Sequence, residues 1–248
     1  MAADQRKYSN PPIQEAICEV HFALEQPLSS DKIEQLKGRW KGDYPNQTIS
    51  EEKNVHLQMR AEGVRIDESK QGQRLICRTG DGTRLVQLSG RFVAINQLKP
   101  YPGWEEGYRK TILARVADVE SEIGAMPIRR TGLRYINNIE IPENPVTWEN
   151  WFNFALPFPK LEKSLLANFQ MHFEQLLPDQ CKLLVNCVSL PQTNEASFVI
   201  LDLDVIWEGQ PVKSAQLPGL LERVHAPHRL AFEAYITDKL RERFDKKL

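Results

Sequence analysis

Residues Arg129 to Pro142, RRTGLRYINNIEIP, carry the cleanest period-2 pattern in the chain. Thr131, Leu133, Tyr135, Asn137, Ile139 and Ile141 fall on one side. Arg130, Gly132, Arg134, Ile136, Asn138 and Glu140 fall on the other, which predicts a strand with two unlike faces. Gly132 removes a side chain between the two arginines, so another group could approach the backbone there. A second alternating run, Ile13 to Leu24, sets Ala16, Cys18, Val20, Phe22 and Leu24 opposite Glu15, Glu19 and His21. After Pro27, Ser30 is a candidate cap for a helix carrying Ile33, Leu36 and Trp40, closed by Gly42 to Pro45.

A meander is predicted next: Val55 to Arg60, Val64 to Ser69, Arg74 to Thr79, Arg84 to Ser89 and Arg91 to Leu98. Asp81-Gly82 is a strong two-residue turn and places Arg78 opposite Leu85 and Ile76 opposite Gln87. Ser89-Gly90, a weaker turn, places Val86 opposite Val93 and Gln87 opposite Phe92. One face then holds Leu75, Cys77, Val86, Leu88, Val93 and Ile95, which reads as core. The other holds Arg74, Ile76, Arg78, Leu85, Gln87, Phe92, Ala94 and Asn96. Trp104, Tyr108, Ile112, Val116, Val119 and Ile123 recur at helical spacing, and Gly124 ends that helix.

The segment Pro142 to Pro159 is the best internal boundary, but Trp148, Trp151, Phe152 and Phe154 mark it as packed rather than free. Strands at Ser164 to Leu177, Cys181 to Leu190 and Ser197 to Trp207 follow, then a short helix at Leu217 to Val224 and a last helix begun by Pro227. Both halves, 13–142 and 160–248, run meander and then helix behind a tail at 1–12, so a duplication is one reading, though no sequence identity links them. The expectation is an α+β fold of antiparallel β-meanders with long packed helices in one unit, since strands come in runs and not as βαβ repeats.

Composition narrows the function more than the fold. The 248 residues are 41% hydrophobic, and 32 basic against 33 acidic residues leave a net charge of -1. That balance gives no pull toward nucleic acid or an anionic membrane. Cys18, Cys77, Cys181 and Cys187 form no CxxC pair or zinc spacing and sit among apolar neighbours. With a polar start and no apolar run of ~20 residues, the expectation is a cytoplasmic protein. P-loop, GxGxxG and GxSxG patterns do not occur. No cofactor is expected.

PPIQEA at Pro11 to Ala16, LVQLSGRFVAINQLKPYPGWE at Leu85 to Glu105 and RTGLRYINNIEIP at Arg130 to Pro142 together resemble a bacterial family known for its sporadic distribution. FEAYITDKLRERF at Phe232 to Phe244 is similar too. The resemblance spans nearly the whole chain. It implies one bacterial unit, compatible with mobile or defence-associated genes, and supplies no catalytic residues.

Two constellations carry candidate chemistry. The first joins Arg78, Gln87 and Asn96 on one sheet face with Arg130 and Arg134, and adds Tyr101 and Trp104 beside the helix that follows. Arginine with amide and aromatic groups suits an anionic, planar ligand. The competing reading is that both arginines pair with carboxylates of neighbouring strands. The second is His172, Asn186, Asp202 and Asp204 on three successive strands, with Lys182 as a counter-charge. His172 and Asp202 would lie roughly 10 Å apart, and the two aspartates about 7 Å, too far for one ion. His225 and His228 read as structural. The leading expectation is a non-enzymatic binding or regulatory protein acting with a partner protein or a small anionic ligand. The alternative is a metal-dependent hydrolase or nuclease using the acidic face.

Overall fold

Alternation in β1 (Ile13–Phe22) produces the division on which the whole molecule is built. Ala16, Cys18, Val20 and Phe22 are fully buried on one side, while Glu15, Ile17, Glu19 and His21 lie half-buried on the other. The computed structural model describes residues 6–60, 63–154, 168–191 and 196–245. The expected strand start at Ser164 to Ala167, the end of the aromatic segment at Ala155 to Pro159, the Ala61-Glu62 turn and Lys246-Lys247 lie outside these.

The remaining strands are β2 (Asn46–Arg60), β3 (Gly63–Arg78), β4 (Arg84–Leu88), β5 (Phe92–Leu98), β6 (Ile128–Ile141), β7 (Gln170–Leu177), β8 (Cys181–Leu190) and β9 (Ser197–Val212). Together with β1 they form, among the described residues, a nine-stranded sheet in the order β2-β3-β4-β5-β1-β6-β9-β8-β7. Every adjacent pair is antiparallel. The fold is α+β. β1 and β6 meet at its centre, and each is flanked by the last strand of its own meander, β5 and β9. β6 therefore heads the second half of the topology, where the sequence boundary had placed it at the end of the first. No helix among the described residues is long and apolar enough to cross a membrane.

Among the described residues four α-helices complete the fold: α1 (Ser30–Trp40), α2 (Arg109–Ile123), α3 (Leu217–Tyr235) and α4 (Asp238–Asp245). Their apolar stripes join the buried strand residues in one cluster, including Leu36, Trp40, Ile112, Val119, Leu221 and Leu240. Each large side chain buried there contributes roughly 1.5–3 kcal/mol. Polar atoms carried into this layer find partners: the Trp40 indole N–H donates to Asp118 at 2.9 Å and the Tyr108 hydroxyl to the Ile95 carbonyl at 2.7 Å. The aromatic segment packs down where described, with Trp148, Trp151 and Phe152 buried and Asn153 N–H donating to the Tyr235 carbonyl at 2.9 Å.

Several expectations are corrected. Ser29, not Ser30, caps α1, accepting from the Lys32 N–H at 3.4 Å. β3 is continuous from Gly63 to Arg78, where the sequence pattern split it in two. The Ser89-Gly90 hairpin is two residues out of register: Ser89 N–H bonds the Phe92 carbonyl, and Gln87 pairs with Ala94. A slip of two keeps every side chain on its assigned face. A one-turn π-helix at Trp104–Tyr108 precedes α2. Pro227 lies inside α3 instead of opening a helix. Its missing N–H frees the Arg223 carbonyl, and the Cys181 thiol reaches that oxygen at 3.9 Å.

Candidate functional site

The face of the sheet away from the helices collects the charged side chains. Register alone explains the set: His21 of β1 stands opposite Arg130 of β6, Ile17 opposite Arg134, and Arg134 opposite Asp204 of β9. Arg130 Nη1 donates to Glu19 Oε2 at 3.0 Å and lies 2.6 Å from His21 Nε2. Contacts with His21 and Arg130 hold the Glu19 carboxyl down at about 2, against the upward push of burial. His21 in turn stacks on Phe92, with ring centroids 4.9 Å apart, and the Arg74 guanidinium lies over the same ring, 5.3 Å from its centroid.

Arg134 makes a bidentate pair with Asp202, Nε to Oδ1 at 2.8 Å and Nη2 to Oδ2 at 2.6 Å. The Asp202 side chain is only 7% exposed, whereas that of Arg134 is 43% exposed. One edge of the guanidinium is thus pinned by a buried carboxylate and the other looks outward. Its Nη1 has no hydrogen-bond partner among the described residues, and neither have Nε and Nη2 of Arg130.

Gly132 lies between the two arginines and is itself buried beneath side chains of neighbouring strands. A Cβ there would meet Asp204 Oδ1 at 3.6 Å, Ile206 Cγ1 at 3.7 Å and Arg130 Nη2 at 3.9 Å. These three groups wall a small gap over the centre of β6. Asp204 is the unusual member. Burial raises its carboxyl to about 6, opposed only by the charges of Arg130 and Arg134, and no hydrogen-bond donor among the described residues satisfies it. The gap therefore sets Arg130 Nη2 beside a carboxyl that accepts from no donor among the described residues, with Arg134 near enough to act on that carboxyl through its charge.

The other predicted residues divide. Gln87 and Asn96 share this face and are linked, Gln87 Nε2 to Asn96 Oδ1 at 3.0 Å and Asn96 Nδ2 to Glu15 Oε1 at 2.7 Å, so that Glu15 carries the row toward Arg134. Arg78 lies on the same face but is exposed on β3, roughly 19 Å across the sheet from Arg134 at four strand spacings. Tyr101 and Trp104 lie on the helix side, away from the arginines. The Tyr101 hydroxyl is 2.9 Å from that of Tyr135, and Trp104 stacks on His225 with centroids 4.1 Å apart. Period-2 parity could not place them, because neither belongs to a strand.

His172 stands opposite Asn186, and Asn186 opposite Asp202. Asp202 is nonetheless committed to Arg134. Among the described residues no group of three or more His, Cys, Asp or Glu side chains is placed to hold a metal ion. Glu19, His21 and Asp204 were absent from the sequence-derived set around the arginines. Their alternation put them on polar faces, but nothing local to β1 or β9 tells which strands flank β6. The four cysteines are buried, and burial raises their thiols, Cys77 to about 11 and Cys187 to about 12.

No family model matches this chain, and comparison with curated proteins finds no match either.

Proposed function

We propose that the chain is a binding protein rather than a catalyst, and that a small anionic ligand occupies the gap over Gly132. The observation that carries this reading is the pair of arginines held by intramolecular carboxylates on one edge while donors on the other have no partner among the described residues. A guanidinium fixed in this way loses little freedom when it meets a carboxylate or phosphate. Asp204 refines the ligand class. Above its titration it accepts hydrogen bonds, so the best ligand carries a hydroxyl or amino donor beside its anionic group. Hydroxy acids, amino acids and sugar or nucleoside phosphates meet both conditions. The buried, high-pKa thiols and the carboxylates already paired with arginine leave no activated nucleophile among them.

The test is to denature purified wild-type protein and Arg130→Ala, and to identify released small molecules by mass spectrometry. The expected result is an anionic species retained by the wild type and lost from the variant, with similar urea midpoints. Glu19, the partner of Arg130, is 37% exposed, so the pair contributes only about 1 kcal/mol. Equal retention by both proteins would refute the assignment.

A further inference from the structure

β7 ends the sheet on one side, with β8 as its only neighbour among the described strands. Ser189 N–H donates to the Phe169 carbonyl at 3.0 Å, and the ladder continues without a bulge from Gln170 opposite Val188 to Leu177 opposite Cys181. Antiparallel alternation then assigns the odd residues to bonds with β8 and turns the backbone N–H and C=O groups of Gln170, His172, Glu174 and Leu176 outward. Exposed edges are ordinarily blunted by lysine, proline or a bulge, and β7 has none of these. Leu176 on this strand is 89% exposed, and the only other exposed large apolar side chain among the described residues, Leu230, borders the same edge. Between β7 and α3 runs a groove of about 500 Å³ lined by Phe173, Leu177, Leu230, Ala231 and Tyr235.

We infer that the occupant of this edge is a second copy of the chain, paired strand to strand about a two-fold axis at Phe173. The register follows from charge. Glu174 lies 3.6 Å from Lys182 of β8 in its own chain, an exposed pair, and an axis at Glu174 would set the two Glu174 carboxylates directly against each other. An axis at Phe173 sets His172 of each copy opposite Glu174 of the other, and Gln170 opposite Leu176. In that arrangement the outward-turned residues form the hydrogen-bonded pairs. The two Phe173 rings meet across the axis as a non-hydrogen-bonded pair, the closer kind, beside the two facing grooves. The joined sheets leave β2 as the outer edge of each copy.

The experiment is sedimentation of the full chain over a range of concentrations, with Glu174→Lys, His172→Glu and the double variant alongside. His172 and Glu174 are exposed, and the Lys182–Glu174 pair that Glu174→Lys removes is exposed too and contributes little, so these changes leave the fold intact. The wild type is expected to dimerise reversibly. Each single change places like charges or an unmatched pair at two symmetric positions and should weaken the dimer roughly 2- to 30-fold. The double variant sets opposite charges across the axis and should recover most of that loss. A wild type that stays monomeric at every concentration would overturn the proposal, as would a dimer indifferent to both single changes or a double variant no better than either.

Discussion

Gly132→Ala separates the packing of the gap from its use. Gly132 does not have a positive φ, and the three nearest atoms to an added Cβ, at 3.6, 3.7 and 3.9 Å, lie at ordinary contact distance. The methyl group therefore fits without displacing Asp204, Ile206 or Arg130. Replacing glycine by alanine at a compatible site stabilises by about 0.4–1 kcal/mol through the unfolded chain. Burying one methyl adds up to about 0.8 kcal/mol. Against these, the methyl excludes water from an Asp204 carboxyl already raised to about 6, which offsets part of the gain where that group is ionised. The expected net change is a stabilisation of about 0.5 kcal/mol near neutral pH and somewhat more in mild acid. Urea midpoints of the two proteins at each pH measure it. A loss of more than about 1 kcal/mol at both pH values would show that the faces of β6 and β9 are closer than described, and that no gap exists to be filled.

Other variants probe the same face and the layer beneath it. Asp204→Asn removes a carboxyl whose folded value, about 6, exceeds its ordinary 3.8, so the folded state carries the cost of ionising it above pH 6. The variant should be more stable by up to about 3 kcal/mol at neutral pH, with the gain fading as pH falls from about 6 toward 3.8; a destabilised variant would refute this. Arg134→Ala leaves the buried Asp202 carboxylate without its partner and should cost about 2 kcal/mol in urea midpoint, less than a fully buried pair because Arg134 is 43% exposed. A cost near zero would place Asp202 in water. Burial lowers both His225 and His228 from 6.5 to about 4, so the unfolded chain takes up their protons first. Their contribution is complete above pH 6.5 and is lost as pH falls toward 4, on the order of 3 kcal/mol for each. Replacing His228 with Gln, which can still donate to the Leu203 carbonyl, should flatten that acid limb; an unchanged limb would mean that His228 does not control it.

What could be read from the chain alone was parity. In β1, β4, β5 and β6 the alternation assigns each residue to the correct face, because a strand's two sides follow from its own backbone. Tight turns extended this to neighbours, since Asp81-Gly82 set β3 against β4 in the observed register. Ser89-Gly90 did not, because the hairpin closes one residue later, around Gly90 and Arg91, and Ser89 pairs with Phe92. The pairing of Arg134 with Asp202 spans 68 residues, and no local pattern names a partner at that separation. Pro227 was read as a helix start from its intrinsic geometry, but Cys181, on a distant strand, reaches the carbonyl that the proline leaves free. Tyr101 and Trp104 were grouped with the arginines by nearness in sequence, and the packing of α2 and α3 takes them to the opposite face.

The anion site itself is tested most directly by thermal melting of wild-type protein and Gly132→Ala against a panel of hydroxy acids, amino acids and nucleoside monophosphates at matched ionic strength. The account predicts that at least one of these raises the melting temperature of the wild type, and that the shift is lost in the variant although its own stability is undiminished. A shift of equal size in both proteins, or none with any member of the panel, would contradict it.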